Sequence, residues 1–202
     1  MIVRLMYAAY AKAGETYRDL GNPSVTHLSL SRFTHPEYGD ILFLYAEADR
    51  EDIRAEEVIG GETVPFPNGE RWVWVPELYH FSKPLSEEHW ERKQKKTPWV
   101  RVNRIRHDRF ASYVFYHHRL QEEKPGNGDK YGIIGLFGEL LFLYLELPEE
   151  KETVRYAGEL STHDTPSTEG KPSEWDKIMT SHFRHWEDDP EEWREIPTLL
   201  FR

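Results

Sequence analysis

The sequence predicts an α+β fold, two tandem ferredoxin-like modules whose sheets face each other as an α+β barrel inside one chain, an intrachain pseudo-dimer. The first observation behind this is an internal match. Gly39-Asp-Ile-Leu-Phe-Leu-Tyr-Ala-Glu47 aligns without a gap on Gly138-Glu-Leu-Leu-Phe-Leu-Tyr-Leu-Glu146, at an offset of 99. The second is the order of the flanking signals. Each half opens on a Val-Arg run, Val3-Arg4 and Val100-Arg101, followed by a stretch read as helix that holds Tyr17 or Tyr113. Each closes on Trp-x-x-(Val/Ile)-Pro-x-Leu, at Trp72 to Leu78 and at Trp193 to Leu199. A period of about 100 residues is too long for a solenoid repeat and suits a small unit with its own sheet.

Taken in order, residues 2 to 7 read as a strand and Ala8 to Leu20 as a helix, stopped by Gly21 and Pro23. Alternation from Val25 to Phe33, a turn at His35 to Gly39 and the apolar run Ile41 to Ala48 give a hairpin. A charged segment, 49–61, has room for a short helix, and Trp72 to Phe81 supplies a closing strand. Residues 83–97 form a charged connector between a first module, 1–82, and a second, 98–202. Ser86 to Lys96 reads as mostly helical, with acids at its start and bases at its end. The second module repeats the pattern: a strand over 99–105, a helix from Asp108 to Glu123, a loop, and strands through Ile134 and Leu140 to Leu147. Residues 159–172 read as a loop, and Ser173 as the cap of a helix through His182 toward Trp186. Gly132, Gly135 and Gly138 lie between strands and point to a bulge or tight turn, not to a dinucleotide fingerprint.

At 202 residues the chain buries a real core without staples, and it has no cysteine, which excludes disulfides, thiolate metal sites and cysteine nucleophiles. With 36 Asp and Glu against 26 Lys and Arg, the net charge of −10 opposes a phosphate backbone, so no nucleic-acid partner is expected. No apolar run approaches the ~20 residues of a membrane span, and the expectation is a soluble, cytoplasmic protein with no membrane partner.

Chemistry concentrates on two stripes. At 100° per residue Phe110, Tyr113, Val114, His117 and Leu120 share one helix face. Tyr113 and His117, one turn apart, can give and take protons near neutral pH in a partly apolar pocket; the plainer reading is a satisfied core histidine beside a core tyrosine. Trp175, Ile178, Met179, His182 and Trp186 form the second stripe, either polar and aromatic lining or core. His182-x-x-His185 and His117-His118 lack the companions of a metal site, so no metal is expected.

Tyr113-Val-Phe-Tyr-His117, Tyr131-Gly-Ile-Ile134, Leu141-Phe-Leu-Tyr144 with Glu146, and Trp175-Asp-Lys-Ile-Met179 resemble the L-rhamnose mutarotase family. The resemblance implies a dimeric α+β barrel that interconverts sugar anomers without metal or organic cofactor. It makes Tyr113 and His117 the acid/base pair and Trp175 a residue that packs against the sugar; Asp176, His182 and Tyr144 complete the set of candidate substrate-binding residues. Asp176 stands where the family's second tryptophan is expected, and Gly21 takes the histidine's place after Tyr17, so the first module is expected to be non-catalytic.

Two functions follow. One is a cofactor-independent, small-sugar (L-rhamnose-like) mutarotase; the other is a non-catalytic α+β-barrel protein that binds a small ligand or a protein partner. Either would act as a monomeric pseudo-dimer or a homodimer. A haem protein on such a barrel would need a cavity with an axial histidine.

Overall fold

The computed structural model describes residues 1–123, 129–152, 174–187 and 193–202, except for the side chains of 120–123 and 174–176. In chain order the elements are β1 (Val3–Ala11), β2 (Arg18–Asp19), β3 (Val25–His35), β4 (Gly39–Ala48), β5 (Ile59–Gly60), β6 (Thr63–Val64), β7 (Val73–Trp74), β8 (Glu77–His80), α1 (Glu87–Trp90), β9 (Thr97–Arg104), α2 (Phe110–Glu123), β10 (Ile133–Phe137), β11 (Leu140–Leu147), α3 (Glu174–Thr180), β12 (Arg194–Ile196) and β13 (Thr198–Phe201). Short 3₁₀ turns at Ala55–Glu57 and His107–Arg109 complete them.

The matched runs are the central strands. Successive side chains of a strand point to opposite faces. Leu42, Leu44, Ala46 and Ala48 therefore pack outward while Ile41, Phe43 and Tyr45 pack between the sheets, and a strand buried on both faces is apolar throughout. Each is entered through a hairpin whose last residue, Gly39 or Gly138, has φ of 73° or 60°, a conformation that glycine adopts at little cost.

One sheet has the order β13-β3-β4-β1-β6, with β7 also on β1; the other has β12-β9-β11-β10-β8. They are built alike. Met6 pairs with Tyr45 as Val100 pairs with Tyr144, and Ser29 pairs with Tyr45 as Ile133 pairs with Tyr144. β8, from the first half of the chain, completes the second sheet on β10, and β13, from the second half, completes the first on β3. Both junctions carry a register break at the corresponding place, before Gly135 in one and beside Ser31 in the other. The Leu-Phe-Leu-Tyr-x-Glu match and the Trp-x-x-(Val/Ile)-Pro match thus coincide in space. The Val-Arg match does not, because Val100 corresponds to Met6 and not to Val3.

The sheets pack face to face. Phe43 stacks on Phe142 with ring centres 4.5 Å apart, and Tyr45 on Tyr144 at 3.9 Å. Outside the first sheet lie Tyr17, Ile53, Ala55, Val58, Ile59 and Trp72; outside the second, α2, α3 and the segment after it bring Tyr113, Met179 and Phe183 onto Leu141, Leu143 and Leu145.

Four expectations need correction. Ala8 to Leu20 is not a helix: β1 continues to Ala11 because Ala8 and Ala9 pair with Phe43 and Leu42 and are fully buried, so sheet pairing overrides alanine's helix propensity. Gly14 and Gly21, with φ of 75° and 68°, then turn the chain. In the connector only Glu87–Trp90 is helical, capped by Ser86, whose hydroxyl accepts from the His89 N–H at 3.0 Å. Trp72 to Phe81 is two strands serving different sheets, and α3 ends at Thr180, leaving Trp186 in the intersheet core beside Phe33. Ser173 and the loop 159–172 lie outside the described residues. No described helix is long and apolar enough to cross a membrane.

Candidate functional site

Of the expected site residues, α2 and the turn after α3 bring Tyr113, His117 and His182 together, with ring centres of Tyr113 4.0 Å from His117 and 6.1 Å from His182. Tyr79 of β8 closes the cluster at 5.0 Å from His117. All four are buried. His117 donates its Nδ1 proton to the Tyr113 carbonyl, 2.9 Å away, one helical turn back. Burial lowers its pKa to about 4 and raises that of Tyr113 well above the phenol range, so both are neutral at pH 7. His182 is held at both ring nitrogens, by the Ile178 carbonyl and the Ser112 hydroxyl, each at 2.8 Å. Trp175 and Asp176 open α3, and their side chains lie outside the described residues. Neither Tyr113 nor His117 lines the cavity described below.

Tyr144 sits elsewhere, between the sheets, in a second cluster that the sequence reading did not assemble. At the end where β4 and β11 finish, the matched glutamates Glu47 and Glu146 turn inward, 1% and 0% exposed. A carboxylate cannot be left there unpaired. Each accepts a hydrogen bond at 2.7 Å from the tyrosine two residues before it, Tyr45 or Tyr144. Arg92, delivered by the connector, forks onto both, reaching Glu47 at 2.6 and 2.7 Å and Glu146 at 2.6 and 3.0 Å. Trp90 adds its indole N–H to Glu47 at 2.9 Å. Burial pushes both carboxyls up, but Arg92, with His27, more than reverses this: Glu47 falls below its ordinary value and Glu146 to about 2.

His27 of β3 is the asymmetric member. Its Nε2 lies 2.7 Å from the Tyr144 hydroxyl and 3.1 Å from Glu146. Tyr144 gives its own proton to Glu146, and an ionised carboxylate only accepts, so whenever the His27 ring carries a single proton that proton is on Nε2. In that tautomer Nδ1 is a lone-pair acceptor, and no hydrogen bond reaches it among the described residues. His27 is 6% exposed and lines a cavity of about 470 Å³ together with Thr26, Glu47, Asp49, Trp90 and Arg92. A carboxylate that holds an imidazole in one tautomer leaves the other ring nitrogen as a base, and in a residue that lines a cavity such a nitrogen is suited to take a proton from a bound hydroxyl. The sequence did carry one signal for this end: a glutamate retained in both copies of an otherwise apolar, doubly buried strand requires a partner.

Compared with known proteins, the chain matches no family model, no curated sequence and no solved structure.

Proposed function

We propose that the protein is a small-sugar mutarotase in which the sugar enters the cavity at the Glu47–Glu146 end and His27 is the proton acceptor. The observation that supports it is the oriented imidazole of a cavity-lining residue, with Nε2 committed to Tyr144 and Glu146 and Nδ1 accepting no hydrogen bond among the described residues. In this reading the anomeric hydroxyl gives its proton to Nδ1 and the bond from the anomeric carbon to the ring oxygen breaks as the imidazolium returns the proton to that oxygen. Reclosure on the other carbonyl face gives the other anomer. Glu146 stabilises the transient imidazolium, and one such group contributes a factor of about 10²–10⁴.

The same reading takes the chain as a duplicated ferredoxin-like unit whose two sheets close a barrel without a second chain, free in the cytoplasm. The paired registers and the reciprocal exchange of β8 and β13 support it. A second reading keeps the chemistry at Tyr113 and His117, favoured by the approach of His182 to that pair.

Saturation-transfer NMR on the anomeric protons of L-rhamnose and a small sugar panel separates these readings. Anomer exchange above the buffer rate, lost at least about 10²-fold in His27→Gln and kept in His117→Gln, is the expected result. Loss in His117→Gln alone moves the site to α2. No exchange with any sugar overturns the enzyme and leaves a ligand-binding barrel.

A further inference from the structure

We propose that His35 makes the β3–β4 hairpin an acid-sensitive latch: a second proton on this imidazole and the closed turn over residues 36–38 exclude each other, so acid opens this end of the intersheet core. His35 closes β3 at the end where β4 and β11 begin, opposite the Glu47–Glu146 cluster, so the latch does not depend on the cavity being a sugar site. Its Nδ1 accepts two backbone N–H groups of the turn, from Glu37 at 3.1 Å and from Tyr38 at 3.3 Å. A ring nitrogen that accepts carries no proton, so the proton of the neutral ring is on Nε2. His35 is 1% exposed, and Nε2 finds no hydrogen-bond partner among the described residues. The second proton therefore has one place to go, Nδ1, where it faces the two N–H groups that point there. Donor set against donor gives up both hydrogen bonds, and the turn opens.

The surroundings do not relieve this conflict. The charged groups that act on His35 are Arg104 of β9, Glu139 of the β10–β11 turn, Arg184 after α3 and Glu37 of its own turn. A Glu139 oxygen lies 3.9 Å from Nε2, but Arg104 already holds that oxygen at 2.7 and 2.9 Å, and Arg184 holds the other at 3.3 Å. On the hairpin itself Arg32 and Asp40 pair with each other at 3.8 Å, and Arg194 of β12 stands 4.3 Å over the Trp186 ring. Burial and Arg104 hold the pKa of His35 below its ordinary value. The closed turn thus refuses a proton that the open turn binds near pH ~6.5, so its stability is full above that value and is lost as pH falls below it. Ring packing ties the latch to the core. Tyr38 stacks on His35 with ring centres 4.5 Å apart, and His35 meets Phe33 at 5.9 Å and Trp186 at 6.4 Å, both edge-on. Phe33 and Trp186 belong to the intersheet core, so release of the turn bares them.

Two NMR measurements on the whole protein test the latch. The imidazole nitrogen shifts of His35 at pH ~7.5 should show Nε2 protonated and Nδ1 bare, and the opposite tautomer overturns the latch. Amide hydrogen exchange from pH ~7 to ~5, corrected for the intrinsic rate, should show protection at Glu37 and Tyr38 falling by up to about tenfold per pH unit below ~6.5, while Leu44 in the middle of β4 keeps its protection. In His35→Asn the side-chain oxygen accepts the same two N–H groups and does not titrate, so protection at Glu37 and Tyr38 should be independent of pH. Protection at these two amides that stays constant in the parent overturns the latch. A fall shared by Leu44 marks unfolding of the whole sheet and overturns a local opening. A fall that persists in His35→Asn places the proton on another group and overturns the role of His35. Should the variant fail to fold, the tautomer and the exchange profile of the parent still decide the matter.

Discussion

At the scale of single residues, the two histidine environments differ in what burial does. His117 is desolvated beside aromatic rings and its pKa drops to about 4. An unfolded histidine titrates near 6.5, so between these two values the unfolded chain binds a proton that the folded chain refuses. Stability from this group is therefore present above pH ~6.5 and lost progressively as pH falls toward ~4, by roughly 3 kcal/mol in all. Urea denaturation from pH ~7 to ~4 should show the slope, and His117→Leu should flatten it relative to the parent. An unchanged slope in the variant would mean that the imidazole is solvated. His27, by contrast, is held by a carboxylate and a phenol, and its role depends on which nitrogen is committed. Periodicity placed Tyr113 and His117 on the buried face of α2, because a helix face follows from spacing alone, whereas His182 is buried in a turn past the end of α3. It had no means of joining His27, Tyr144, Glu146 and Arg92, since they meet through contacts more than 50 residues apart in sequence.

At the scale of elements, the connector does more than join two halves. Trp90 is buried and Arg92 mostly so, and together they cover the end of the intersheet space, while Arg4 of β1 braces the same end from Tyr45 and the Ser82 carbonyl. Removing one member of a buried ionic group leaves the others uncompensated, at a cost of about 3–5 kcal/mol. Arg92→Ala strands two carboxylates against each other and should lose at least that much in urea denaturation. The triple variant R92A/E47Q/E146Q, which removes the stranded charge, should regain a large part of the loss. No recovery would show that packing, not charge, sets the cost. The elements themselves were legible where apolar runs were bounded by Gly, as at Gly39 and Gly138. They were misread at Ala8 to Leu20, where alanines that favour a helix in isolation are small enough to lie under a neighbouring strand with no exposure. The helical reading of the connector failed for a related reason: past Trp90 its residues take partners from both sheets instead of from their own helix.

At the scale of the whole molecule, the exchange of β8 and β13 decides what a folding unit is. A separate first half keeps β1, β3 and β4 but leaves the β3 edge unpaired, and its β8 has no β10 to join. It also exposes Phe43 and Tyr45, which are covered by Phe142 and Tyr144. An apolar sheet face bared along its length, next to an open strand edge, favours association over solution as a monomer. The chain should therefore unfold in a single transition seen alike by tryptophan fluorescence and far-ultraviolet circular dichroism. Residues 1–82 or 98–202 expressed alone should aggregate or remain unfolded. Mixed after co-expression, the two fragments should restore the parent spectrum and a sharp transition, because each supplies the strand that the other lacks. Fragment 1–82 folding alone as a stable monomer, with its own cooperative transition, would show that the exchanged strands decorate two independent units instead of binding them into one.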